Sequence, residues 1–180
     1  MVVTLVVVCE VAFWVLLAVG MFLRYVARMP RAGIAVLLAE PLLEVVLLVA
    51  TAVDLKNGAT PDFRHGLAAL YIGFTLGYGH ATISWVDSRV NHRIAGGPPP
   101  AGPPRYGMAR ARHEGRLWLR TVLAACVACA LLQLAVWYVG AAGDVTSLRL
   151  WQWTAVRIAA IHGVIALTYL VWPKKRPAGR

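Results

Sequence analysis

Charge is scarce in this chain of 180 residues: Asp and Glu together number eight, and charged side chains make up 14% against 59% hydrophobic residues. A water-soluble domain of this size has no use for so much apolar surface, so a soluble globular protein is excluded by composition. The mean hydropathy of +0.65 says the same. Cysteine is nearly absent: Cys9, Cys126 and Cys129 are the only three, and all fall inside apolar runs, which excludes a disulfide scaffold. Cys126 and Cys129 form a CxxC with no second pair nearby, a spacing that serves close helix packing or, alternatively, a metal or redox pair on one helix face. Phosphate loops, nucleophile elbows and zinc-protease helices are missing as well, so a familiar soluble-enzyme mechanism has no anchor and a non-enzyme is favoured over an enzyme without deciding between them. No internal repeat relates its two halves, which leaves an inverted-repeat transporter within one chain without support. No Lys or Arg precedes Arg24, so the first apolar run lacks the basic start of a secretory signal and is expected to be retained as a helix.

What the sequence does have is long apolar runs. They recur at Val2 to Leu23, Ile34 to Val53, Leu67 to Val86, Leu117 to Val139 and Leu150 to Trp172. Each is close to the roughly 20 residues that cross a ~30 Å hydrocarbon slab as a helix. The expected fold is therefore an all-α, multi-pass helical membrane protein with five transmembrane helices. The net charge of +10 follows the loops between them. Arg24, Arg28 and Arg31 follow the first run; Arg89, Arg93, Arg105, Arg110, Arg112, Arg116 and Arg120 lie between or at the ends of the third and fourth; Lys174, Lys175, Arg176 and Arg180 end the chain. The other side carries only Lys56, Arg64 and Arg149. Basic short loops stay cytoplasmic, which gives an N-out, C-in orientation in an inner membrane and removes the need for a nucleic-acid partner. Trp85, Trp118, Tyr25, Tyr169 and Trp172 near the inner boundary, and Trp137, Tyr138, Trp151 and Trp153 near the outer one, stand where amphipathic rings are expected.

This organisation divides the chain into a three-helix unit at 1–87, a Pro/Gly- and Arg-rich cytoplasmic loop at 88–116, a helical hairpin at 117–172 and a basic tail at 173–180. Gly96-Gly97-Pro98-Pro99-Pro100 and Pro103-Pro104 prevent a regular helix throughout the loop. The arginines that follow them lie beside the inner leaflet, where each cation contributes about 1 kcal/mol against anionic lipid. Lipid contact and a partner-docking loop are the two uses such a stretch has.

Ionisable groups at membrane depth cost about 2.5–3.5 kcal/mol each to insert, so they face a bundle interior, a partner or a cavity. By rise per residue, Glu44 and His162 fall near the midplane, Arg157 and Glu10 toward the outer half, and Glu40 and His80 toward the inner half. These six residues are the candidate binding site. Glu40 and Glu44 are one turn apart on one face, where two like charges repel; such a pair is suited to taking up and releasing a proton unless a cation such as Arg157 lies opposite. Pro41 between them frees a backbone carbonyl and is expected to kink the helix. A proton-coupled solute or ion pathway is the leading function for such a site. The alternatives are ion pairs that only fasten helices in a structural or assembly subunit, and a b-type haem held by His80 and His162. His65 with Asp54 or Asp62 is a candidate metal site at the outer face, and His65, Asp62 and Asp87 are the nearest residues to a lipid-acting enzyme. Gly73 and Gly77 form a GxxxG with Gly66 on a neighbouring stripe, made for close packing against an internal helix or a second copy.

One stretch is distinctive in its residue types. Asp54-Leu55-Lys56-Asn57-Gly58, then His65-Gly66-Leu67-Ala68-Ala69-Leu70-Tyr71-Ile72-Gly73-Phe74, Gly79-His80, Trp85-Val86-Asp87 and Ala95-Gly96-Gly97-Pro98 resemble small bacterial integral membrane proteins of the YmcC-like family. The resemblance covers roughly residues 24 to 100. It implies an inner-membrane location and carries no mechanism with it.

Overall fold

The computed structural model describes residues 2–60, 64–94, 96–100 and 102–173. Among these the regular structure is entirely helical: α1 (Val2–Tyr25), α2 (Pro30–Leu37), α3 (Ala39–Lys56), α4 (Arg64–Ile94), α5 (Gly107–Val139) and α6 (Thr146–Val171), with a 3-10 turn at Gly140–Ala142. Three stretches are long and apolar enough to cross a membrane, Pro30–Lys56, Gly107–Ala142 and Thr146–Val171, and Val11–Tyr25 is a shorter apolar helix. Helix α4 has the length, but its glycines, hydroxyls and His80 dilute its apolar character.

The stretch Pro30–Lys56 is interrupted at Leu38, whose backbone stays right-handed helical at φ −73° and ψ −14°, and so divides into α2 and α3. Pro41 supplies no N–H to the carbonyl one turn back, and its ring crowds that carbonyl, so one bond of the helical ladder is missing at this point. Pro30, at the first turn of α2, sits where a missing N–H costs nothing. The proline-rich connection is shorter than composition suggests. Helix α4 persists to Ile94 and α5 begins at Gly107, so the arginine-rich segment before Leu117 is a helical extension of the hairpin. No proline follows Pro104 there, and an Arg110–Glu114 ion pair at i, i+4 supports the first turns.

Exposure is distributed inside out relative to a soluble protein. Along α6, Val156, Ile158, Ile161, Val164, Leu167 and Leu170 are exposed, while Ala155, Gly163 and Ala166 are buried. Trp137 and Trp153 are 70% and 62% exposed. Along this part of α6 the large apolar side chains lie outside and the small ones inside, the arrangement of a helix solvated by lipid, whose tails are as apolar as leucine and so give no transfer gain for burying one. What holds such helices is close packing and hydrogen bonding.

The chain forms two compact units, Met1–Ile72 with Val127–Gln152, and Gly73–Cys126 with Trp153–Arg180. Helices α4, α5 and α6 each contribute to both. In the first unit, α1 packs on α2 and α3. Its core joins Leu48, Ala52 and Leu55 of α3, Ala68 and Ala69 of α4, Leu132, Ala135, Val136 and Val139 of α5, and Leu148 and Trp151 of α6. Gly66 of α4 lies flat against the Trp151 ring, where a methyl group would overlap it. In the second unit, Gly77 of α4 meets the Arg120 carbonyl of α5, 2.7 Å from where a Cβ would stand. Of the GxxxG, Gly77 thus makes a close backbone contact within this unit.

The turn before α6 is tied by Asp144, whose Oδ1 accepts from the Thr146 backbone N–H at 2.8 Å. The Thr146 hydroxyl, and then its N–H, favour the ionised carboxyl and hold it below the usual Asp value of 3.8. A depressed folded-state value means the linked stability is present above the ordinary carboxyl range and is lost as pH falls through it. Unfolding followed in detergent from neutral to acid pH should show a small acid-side loss that Asp144→Asn removes; an unchanged acid limb in the variant contradicts the cap.

Candidate functional site

The polar residues of α3 share one face. Glu40, Glu44, Leu48, Thr51, Ala52 and Leu55 recur at helical spacing and all are buried, so the acidic pair looks into the protein and not into lipid. Glu40 is 5% exposed and Glu44 9%. The Tyr71 hydroxyl of α4 donates to Glu40 Oε2 at 2.9 Å. The other oxygen of that carboxyl, Oε1, is buried with no hydrogen-bond partner. Phe13 of α1 stands edge-on to Tyr71 with ring centroids 5.1 Å apart and gives that side of the cluster an apolar wall. One oxygen of this buried carboxyl is thus held and the other unmatched, whereas buried polar atoms are ordinarily satisfied.

The second unit has a separate polar chain. Thr121 of α5, itself buried, has its Oγ1 2.6 Å from the Tyr78 hydroxyl and 2.6 Å from His162 Nδ1. Tyr78 also donates to the Leu117 carbonyl at 2.9 Å, and Thr121 reaches the same carbonyl at 3.2 Å. Each hydroxyl carries one hydrogen, so Tyr78 and Thr121 share theirs among these acceptors, and whether Thr121 donates to His162 Nδ1 or accepts from it follows the His162 tautomer. Close by, Trp118 Nε1 donates to the Ala159 carbonyl at 3.1 Å. Thr121→Val keeps the shape and removes the central hydroxyl, leaving His162 Nδ1 without its partner. We expect a loss of about 1 kcal/mol, in the range measured for interhelical hydrogen bonds in membranes, read from unfolding in detergent; wild-type stability would mean the bond contributes nothing.

Of the six candidate binding residues, Glu40 and Glu44 fall in the first unit, and His80, Arg157 and His162 in the second. His80 and Arg157 are exposed, and His162 is half-buried in the hydroxyl chain. Asp54 is half-buried near the end of α3, and Gly73 is buried. Asp62 and the tail from Lys174 lie outside the described residues, as do the side chains of Glu10 and His65. Among the described residues no three His, Cys, Asp or Glu side chains converge to hold a metal ion. Cys126 is exposed, Cys129 is half-buried with its Sγ donating to the Gln152 carbonyl at 3.8 Å, and Cys9 is buried.

Tyr71, Tyr78, Thr121, Gln133 and Gln152 belong to these networks and do not stand out in a search confined to ionisable groups. Gln152 Nε2 donates to Gln133 Oε1 at 3.1 Å and to the Cys129 carbonyl at 3.4 Å, fastening α6 to α5 within the first unit. The available signal is neutral: amides and hydroxyls inside apolar runs, which lipid solvates almost as poorly as charges.

No family model matches the chain, and no solved structure does. A Bacillus subtilis (strain 168) protein named "Uncharacterized membrane protein YmcC" is 36% identical over 177 residues, covering 97% of this chain and 94% of that protein. The likeness thus extends well beyond residues 24 to 100 and takes in the hairpin helices as well. With apolar helices of crossing length and lipid-type exposure beside this similarity, the chain is a membrane protein and belongs to the YmcC family.

Proposed function

We propose that this protein crosses the cytoplasmic membrane five times with its N-terminus outside, and that Glu40 and Glu44 exchange a proton or small cation as part of an ion or solute pathway. The crossing number rests on α1 and α4 joining the three clearly apolar stretches, and the orientation on the arginines of the connection between α4 and α5. The observation that carries the functional reading is the Glu40 carboxyl: buried beside a second acid, bonded by Tyr71 through Oε2 and unmatched at Oε1. A carboxyl kept only to fasten helices would have both oxygens engaged, because an unsatisfied acceptor in hydrocarbon destabilises by about 1–3 kcal/mol or more. Tyr71 gives the pair a hydroxyl through which a proton can leave or arrive.

The test is flux into liposomes loaded with a pH-sensitive dye under an imposed potential. The pathway expects wild-type protein to move protons, alone or with a coupled ion, faster than protein-free liposomes. A wild-type signal equal to that background overturns it. A purely structural role expects Glu44→Gln to impair folding or assembly instead.

A further inference from the structure

A cleft of about 380 Å³ opens beside the first turn of α5, lined by Arg105, Tyr106, Arg110 and Tyr169. All four side chains carry N–H or O–H donors. The Arg110 guanidinium lies over the Tyr169 ring, 5.1 Å from its centroid, and is paired on its other side with the buried Glu114 carboxylate. Its Nη1 also reaches the Pro104 carbonyl at 3.5 Å. These contacts fix the guanidinium fork in place, while Arg105 is exposed at the mouth. Counting Glu114 against the two arginines leaves one net positive charge.

The position is as informative as the chemistry. The stretch Gly107–Ala142 begins at this cleft, and Thr146–Val171 ends two residues past Tyr169, so the cleft stands at the end of two stretches long and apolar enough to cross a membrane, the place where the proposed crossing puts the headgroups. Back along α6 from Tyr169, Ile165, Ile161 and Ile158 follow at spacings of one turn and all are exposed, forming an apolar lane on the same stripe.

We propose that the cleft seats the phosphate of an anionic phospholipid, with an acyl chain lying along the Ile165–Ile158 lane. Planar guanidinium groups match phosphate oxygens in pairs, and tyrosines at the interface offer a hydroxyl to the headgroup and a ring to the chain. One net positive charge suits a phosphodiester, which carries one negative charge, and the apolar lane is of no use to a soluble phosphate. The positive end of the α5 helix dipole adds to the same attraction.

The full-length protein, solubilised with an equimolar mixture of phosphatidylglycerol and phosphatidylcholine, should retain phosphatidylglycerol preferentially in native mass spectrometry. Arg105→Gln, an exposed connection residue whose loss does not threaten folding, should cut that preference by about fivefold. Arg110→Lys leaves a cation for Glu114 but removes the fork, and should weaken retention as well. Equal retention of the two lipids, or a preference untouched by Arg105→Gln, overturns the proposal. Calorimetric titration with inorganic phosphate in phosphatidylcholine nanodiscs separates the sources. Binding there that depends on Arg105, without lipid preference, would assign the cleft to a soluble phosphate and overturn the lipid reading.

Discussion

If the proposed pathway is right, Glu44→Gln should bring acid-driven flux down to the level of protein-free liposomes while the protein elutes and melts as the wild type does. The substitution keeps the volume of the side chain and its capacity to accept a hydrogen bond, and removes only the ability to gain and lose a proton or to hold a cation by charge. Glu44 is the better probe of the two acids, because Glu40 also receives the Tyr71 hydroxyl, so Glu40→Gln disturbs a bond between α3 and α4 together with the charge. Tyr71→Phe should slow flux without abolishing it, since the carboxyl pair is left intact and only the hydroxyl that bonds Glu40 is gone. Asp144→Asn, at an exposed cap outside the crossing helices, serves as a control and should leave flux at the wild-type rate. Flux that survives Glu44→Gln at the wild-type rate removes the pair from the pathway. A variant recovered only as aggregate, with Glu40→Gln behaving the same way, favours helix fastening over transport.

The helices and the acidic face of α3 were legible in the sequence for a physical reason: lipid punishes every unpaired backbone group and every misplaced charge, so composition and spacing are tightly constrained. Pro41 announces the interruption at Leu38 because a missing N–H acts locally. The extension of α5 through Arg110 and Glu114 was less legible, because charged residues after a proline-rich stretch have the composition of a loop whether or not they pair at i, i+4. The meeting of Tyr71 with Glu40, and of Tyr78 and Thr121 with His162, lay beyond reach, since these contacts join residues 31 to 43 positions apart on helices whose rotation about their own axes the apolar pattern does not fix. In lipid the apolar moment that orients a soluble helix is weak, and small-residue contacts decide the rotation instead. Gly77 against the Arg120 carbonyl, and Gly66 against Trp151, are where that decision is made.

The same reasoning identifies the position least able to carry a methyl group. Gly143→Ala should destabilise the protein by about 3 kcal/mol, at the upper end of what overpacking costs, and lower its melting temperature in detergent accordingly. The backbone of Gly143 is extended, at φ −143° and ψ 171°, which any residue adopts, so conformational strain is not the cause. The obstacle is the Leu55 carbonyl, which a Cβ would overlap, with the Leu55 carbonyl carbon at 2.9 Å and Val139 Cγ1 at 3.0 Å. Leu55 and Val139 are almost completely buried within the first unit's core, so neither the carbonyl nor the side chain has room to retreat. Gly115→Ala supplies the opposite sign from the same chemistry. That residue lies inside α5 with nothing within 4 Å of a new Cβ, and replacing glycine with alanine in an open helix interior stabilises by about 1 kcal/mol. If both variants melt together with the wild type, the packing of α3 against the turn before α6 is not what holds this end of the molecule. If Gly143→Ala falls while Gly115→Ala rises, close backbone contact is the source of stability here, as expected for helices that gain nothing from hiding leucine in a solvent made of hydrocarbon.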